Sequence, residues 1–343
     1  MTNDPMTSEK LAVNLRTYIL KAMMDRNSKQ VTYPSQLGIF LGLTGAGLVV
    51  SVILGAIIWV MMAGSAIPSK AEEMLQPKYY NVNMVLQGVS TFFLFFMPAY
   101  LFAKICYKRP NDFLGFNKQL NIKQVLLVVG ILMLTFPLSG ALGELNKILP
   151  IPASWAIKFK AMEASREAQE AALININTLP KYIMSLFMIA VLPAIFEETF
   201  FRAGMQNLFV RWFKSPVTAI IVTGIIFSLI HLSFYGFFVR FGLGVILGLL
   251  FFYSGNIWLP ILFHLLFNGV QVTMLYILNR QNNPKAIKDI ETAFPLWAGA
   301  IALLVIVYLF KRFRDISSLQ KASFVEEEEA PVDDFEAWVS DKQ

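Results

Sequence analysis

From Leu37 to Met62 the chain carries no ionisable side chain. A helix needs about 20 apolar residues to cross the hydrocarbon core of a bilayer, so this run is long enough to span. In lipid a helix satisfies its own backbone hydrogen bonds, and an apolar run of this length then exposes nothing that needs water. Further apolar segments lie near residues 84–106, 124–142, 181–203, 216–236, 238–254, 256–279 and 295–310. Charged residues make up 15% of the 343 residues, where a soluble domain has about a quarter. These features predict an all-α, polytopic membrane bundle of about eight transmembrane helices, with interfacial amphipathic helices.

Basic residues gather before the first segment (Lys10, Arg16, Lys21, Arg26, Lys29) and after the second (Lys108, Arg109, Lys118, Lys123). They recur after the fourth (Arg211, Lys214) and after the eighth (Lys311, Arg312, Arg314). If the segments alternate in direction, all four places share one side, which predicts an integral multi-pass protein with both termini cytoplasmic. Arg280, Lys285 and Lys288 fall on the other side. A bacterial inner membrane is the expected setting, and membrane lipids are expected partners. No basic stripe interleaves with aromatics on a soluble element, so nucleic acid is not an expected partner. The lone Cys106 excludes an internal disulfide and reads as an apolar filler of a spanning helix.

The expected organisation has five parts. Residues 1–36 form a cytoplasmic or interfacial arm with Leu11, Leu15, Tyr18 and Ala22 on one face. Residues 37–180 hold the first three spanning helices and an amphipathic connector. In that connector Ser154 can cap a helix with Trp155, Phe159 and Met162 on one side and Glu163, Arg166, Glu167 and Glu170 on the other. It reads as a surface-lying link, with a substrate gate as the alternative. Residues 181–275 hold the candidate chemistry, 276–314 the last spanning helix, and 315–343 a disordered acidic tail. Gly244 and Gly248 form a GxxxG pair, whose ordinary role is close helix packing.

The chemistry gathers in three places. Glu197, Glu198 and Arg202 interrupt the fourth segment, although an ionisable residue at the centre of a spanning helix costs about 2.5–3.5 kcal/mol on insertion scales. The chain's two histidines, His231 and His264, fall in the fifth and seventh segments. Glu198 and Arg202 are four apart, as are His264 and Asn268, so each pair shares a helix face. Ser215-Pro216 makes a helix start, with serine as cap and proline at the first helical position. Glu197 and His231 each lie about 17 residues from residue 214, or roughly 25 Å along a helix, so a hairpin turning there brings them to one depth. For His264 to reach that level the hairpin must project past the bilayer on the cytoplasmic side, which puts the site below that surface. Pro193, one turn before Glu197, predicts a kink.

The Glu-Glu-x-x-x-Arg, Phe-x-x-x-His and His-x-x-x-Asn blocks, in this order over residues 181–275, resemble the CPBP family. That family contains CAAX prenyl endopeptidases and bacterial Abi proteins. The resemblance implies an intramembrane endopeptidase acting on a peptide or protein substrate, with a lipid-modified substrate as one option. It implies Glu197 as the base that activates water, with His231 sharing or orienting that water. Glu198 and Arg202 would fix the first glutamate and the helix pair. His264 and Asn268 would stabilise the oxyanion. The family is often labelled metalloprotease, and His231, His264 and Glu197 could hold zinc. The HExxH arrangement is absent, however, and glutamate-activated water without an obligatory metal is the favoured reading.

Each of these residues also has an ordinary explanation. The glutamates could flank a helix end, the histidines could be packed core residues, and Asn268 could bridge two helices. The same buried group would also suit a proton-coupled transporter, though no inverted repeat is visible. A non-catalytic membrane scaffold is the third possibility.

Overall fold

The computed structural model describes residues 29, 31–64, 66–68, 71–116, 119–174, 176–281 and 294–329. The amphipathic face expected at Leu11 to Ala22 and the acidic stretch from 330 onward lie outside the described residues. Nine principal helices run in chain order among them. They are α1 (Tyr33–Ala63), α2 (Pro77–Cys106), α3 (Ile122–Lys147), α4 (Ala153–Ile174), α5 (Leu179–Phe213), α6 (Pro216–Leu229), α7 (Phe237–Ser254), α8 (Trp258–Arg280) and α9 (Leu296–Glu329). Seven of them are long and apolar enough to cross a membrane, and α6 is a shorter apolar helix. The chain is a polytopic helical bundle, as expected, with α4 as the amphipathic link between α3 and α5.

Helix starts follow local chemistry. At α6, Ser215 Oγ accepts from the Thr218 amide at 3.3 Å and Pro216 takes the first position, where no amide donor is needed. α1 stops at Gly64, whose φ of 64° lets its amide turn back to Val60 O. The expected cap at Ser154 is not formed, because α4 already begins at Ala153 and the amides of Trp155 and Ala156 bond to Pro152 O.

Internal prolines shape α2 and α5. Proline has no amide hydrogen, and its ring crowds the carbonyl four residues earlier. Both helices widen into π turns just before such a proline: Phe92–Phe96 ahead of Pro98, and Leu186–Val191 ahead of Pro193. A third π stretch, Thr199–Gln206, follows the two glutamates.

Two hydrophobic clusters flank α5, α7 and α8. One is rich in aromatics from α1, α2 and α5, with Phe40, Phe102, Phe200 and Phe201 fully packed. The other joins α3, α7, α8 and α9 through mostly aliphatic residues such as Val128, Ile131, Leu250 and Ile306. Gly244 and Gly248 do pack closely: a Cβ on Gly244 would lie 2.9 Å from Gly224 Cα, and one on Gly248 would lie 2.7 Å from Gln206 Oε1.

Polar contacts mark the two ends of the bundle. At the end rich in basic residues, Asn207 Nδ2 donates to Phe113 O at 2.9 Å and Asn256 Nδ2 to Gln119 O at 3.0 Å. Tyr107 OH there donates to Gln36 Oε1 at 2.8 Å. At the opposite end Tyr80 OH meets Ser185 Oγ at 2.7 Å, and Asn146 Oδ1 accepts from the Phe238 amide at 2.9 Å.

Two segments differ from expectation. The fifth segment, expected at 216–236, is helical only to Leu229 and then turns through residues 230–236. Leu232 adopts φ 51°, a left-handed conformation that breaks the helix, and Ser233 Oγ accepts the Gly236 amide at 3.0 Å to shape the return. The last helix, expected to end at 314, continues through Glu329.

Candidate active site

The site is built on α5, where Glu197 and Glu198 end the α-helical stretch that starts at Leu192. Glu198 is fully buried. Its Oε1 accepts from Arg202 Nη1 at 3.1 Å and from His264 Nδ1 at 2.8 Å. Arg202, also fully buried, donates from Nη2 to Gly244 O at 3.4 Å, and its guanidinium lies 4.6 Å from the centroid of Phe227. One carboxylate thus ties α5 to α8, and the arginine it holds reaches α7 and the face of a ring on α6. Hydrogen bonds and a cation–π contact replace part of the lost hydration of this buried pair, while Glu198 Oε2 and Arg202 Nε have no hydrogen-bond partner among the described residues.

Glu197 is different. It is half-buried and makes no hydrogen bond among the described residues, while lying in the electrostatic field of His264, Glu198 and Arg202. Its carboxylate is therefore held by charge rather than by a fixed partner.

The histidines are set by their Nδ1 atoms. His231 Nδ1 lies 2.7 Å from Phe227 O, and since a carbonyl oxygen only accepts, Nδ1 carries the hydrogen. That leaves Nε2 of His231 free to accept. His231 stands in the turn after α6 and not inside a helix, because the backbone turns at Leu232. Phe227 packs between the two imidazoles, 4.9 Å from His231 and 6.4 Å from His264 between ring centroids. His264 is the group whose field reaches both Glu197 and His231.

Asn268 bridges two helices, as its ordinary reading allowed, with a partner that the sequence alone did not name. Its Nδ2 donates to Ile189 O at 3.1 Å. Residue 189 lies in the π turn four before Pro193, which has no amide hydrogen to offer that carbonyl. Asn268 supplies that donor across the α5–α8 contact, which satisfies the carbonyl where water is scarce. The pairing of Pro193 with Asn268 could have been suspected from the proline, but the partner helix could not.

His264 lies roughly 9 Å along α8 from Trp258, at the basic end of the bundle. The turn that carries His231 closes α6 beside α4, where Phe159 stacks on Phe234 with ring centroids 4.3 Å apart.

Among the described residues no three His, Cys, Asp or Glu side chains group closely enough to hold a metal ion.

No curated protein and no solved structure matches the chain. A family model, the type II CAAX prenyl endopeptidase Rce1-like family, matches residues 179–270. That span holds Glu197, Glu198, Arg202, His231, His264 and Asn268, so the six side chains, from two helices and a turn, all fall within the matched residues. Residues 179–270 of this multi-pass membrane protein are an Rce1-like domain of the CPBP family.

Proposed function

We propose that the chain is an intramembrane endopeptidase in which Glu197 is the general base. The observation that carries this reading is the contrast between neighbours: Glu198 is committed to Arg202 and His264, while Glu197 keeps a carboxylate without a hydrogen-bond partner among the described residues. A base must be free to take a proton at the reacting centre.

Water between Glu197 and His231 gives one hydrogen to the carboxylate and offers the other to His231 Nε2, whose orientation is set by the Nδ1–Phe227 O bond. The resulting hydroxide adds to the scissile carbonyl. His264, in its doubly protonated form, would donate from Nε2 to the oxyanion, with Glu198 compensating its charge at Nδ1. Glu197 then returns the proton to the departing amine, and the products are a carboxylic acid and an amine. Asn268 acts here as a helix staple with a second amide hydrogen to spare, so its share in oxyanion binding is secondary.

The substrate is a peptide or protein segment presented at the membrane, with a prenylated C-terminus as the class suggested by the family's name. The protein sits in a bacterial inner membrane with both termini in the cytoplasm. The test is cleavage of matched prenylated and bare peptides by the full chain in nanodiscs. Glu197→Gln is expected to lower turnover by at least about a hundredfold, the usual contribution of a general base. Full activity in that variant would remove the assignment.

A further inference from the structure

The turn that carries His231 is held from outside by the connector α4. Ser233 Oγ donates to Glu163 Oε2 at 2.9 Å, and the same hydroxyl accepts the Gly236 amide at 3.0 Å. Glu163 thereby reaches the backbone of the turn through one serine. The other oxygen of Glu163 is held within α4 by Arg166, whose Nε donates at 3.0 Å, so the carboxylate has a fixed direction. Beside this bond Phe159 and Phe234 stack at 4.3 Å with their planes 4° apart. The turn needs such support, because Leu232 sits at φ 51° without being glycine. The other clamps, Ser228 Oγ to Phe237 O at 2.7 Å and the Phe238 amide to Asn146 Oδ1 at 2.9 Å, grip the far side of the turn, next to α7.

An amphipathic link that only lay on a surface would have no use for a half-buried, doubly bonded carboxylate aimed at one serine. We propose that Glu163 is a positioning residue for His231: through Ser233 it holds the 230–236 turn in the conformation that aims the imidazole at the water beside Glu197. α4 is then a fixed part of the active site, although it precedes the family-matched residues. This inference rests on the peptidase reading for its kinetic consequence, but its structural claim can be tested without any activity.

Because the chain has two histidines, histidine-selective isotope labelling of the full-length protein yields two imidazole signal sets, which His231→Gln assigns. Glu163→Ala is expected to shift or broaden the His231 signals and leave those of His264 in place, which also reports an intact fold. Ser233→Ala should produce the same change, and the double variant should add little to either single one. Glu163→Gln keeps an acceptor for Ser233 and should restore most of the wild-type signal. In cleavage assays Glu163→Ala should lower kcat by about tenfold or more with KM little altered, as expected when a reacting group is misplaced by an ångström or less. Unmoved His231 signals in both alanine variants, or additive effects of the pair, would overturn the proposal. Shifted signals in a protein that cleaves no peptide would leave the positioning claim standing and defeat the peptidase reading alone.

Discussion

The α3–α9 pair and the α5–α8 pair are both helix contacts inside the same bundle, yet they are assembled on different terms. Between α3 and α9 the fit is almost wholly apolar: a Cβ on Gly299 would lie 2.1 Å from Ala141 Cβ, and aliphatic residues fill the rest. One buried polar bond, Gln124 Nε2 to Ser317 Oγ at 2.9 Å, sets the register. Between α5 and α8 the contact runs through Glu198, His264, Asn268 and a carbonyl released by proline. π turns interrupt α5 on both sides of the glutamates, whereas α3 is α-helical throughout, even across Pro137. The comparison teaches that regular apolar packing holds the bundle, and that irregular backbone and buried charge coincide at the contact where chemistry is proposed.

The contrast can be broken most severely at Glu198. Replacing it with leucine strands the Arg202 charge and frees His264, and breaking a buried pair from one side costs about 3–5 kcal/mol. Unfolding in detergent should register that loss, while Glu197→Gln should stay within about 0.5 kcal/mol of wild type, as a change that removes no fixed bond does. Equal effects of the two would mean that the neighbours are not distinct in kind.

A smaller loss is expected in the apolar pair. Gly299→Val overpacks the α3–α9 crossing, for about 1–3 kcal/mol, yet cleavage per folded molecule should be retained. Loss of turnover in molecules that remain folded would show that the two regions are coupled.

Asn268→Ala leaves the Ile189 carbonyl without its donor, which should cost about 1–2 kcal/mol. In a Pro193→Ala background an amide hydrogen is available at residue 193, so the same substitution should cost less. A double-mutant cycle measures the difference, and strict additivity would reject the link between that proline and that asparagine. The smallest effect is expected from Gln124→Leu combined with Ser317→Ala. Removing both partners of a buried bond is close to neutral, about 0.5 kcal/mol or less, and activity should be untouched.

Much of the architecture was legible before any coordinates. Hydropathy, the Ser215-Pro216 start and the four-residue spacing of Glu198 with Arg202 depend on neighbours along one helix, so local rules suffice. The π turns before Pro98 and Pro193 were foreshadowed by the prolines, although a simple kink at Pro193 was the nearest local expectation. Where α6 stops was less legible, because Ile230-His-Leu remains as apolar as the helix before it. The break comes from the Ser233–Gly236 bond and from α4 packing on the far side of the turn.

The sequence by itself determined a polytopic helical bundle, the polar residues that interrupt its spans, and which of them share a helix face. Only the tertiary structure decided that Glu198 and not Glu197 holds His264, that Asn268 answers the carbonyl freed by Pro193, and that Glu163 reaches the turn of His231. The physical reason is range. Hydrophobicity and helical period act between residues a few positions apart, whereas the partner of a buried polar atom is whichever group the packed helices bring within about 3 Å of it.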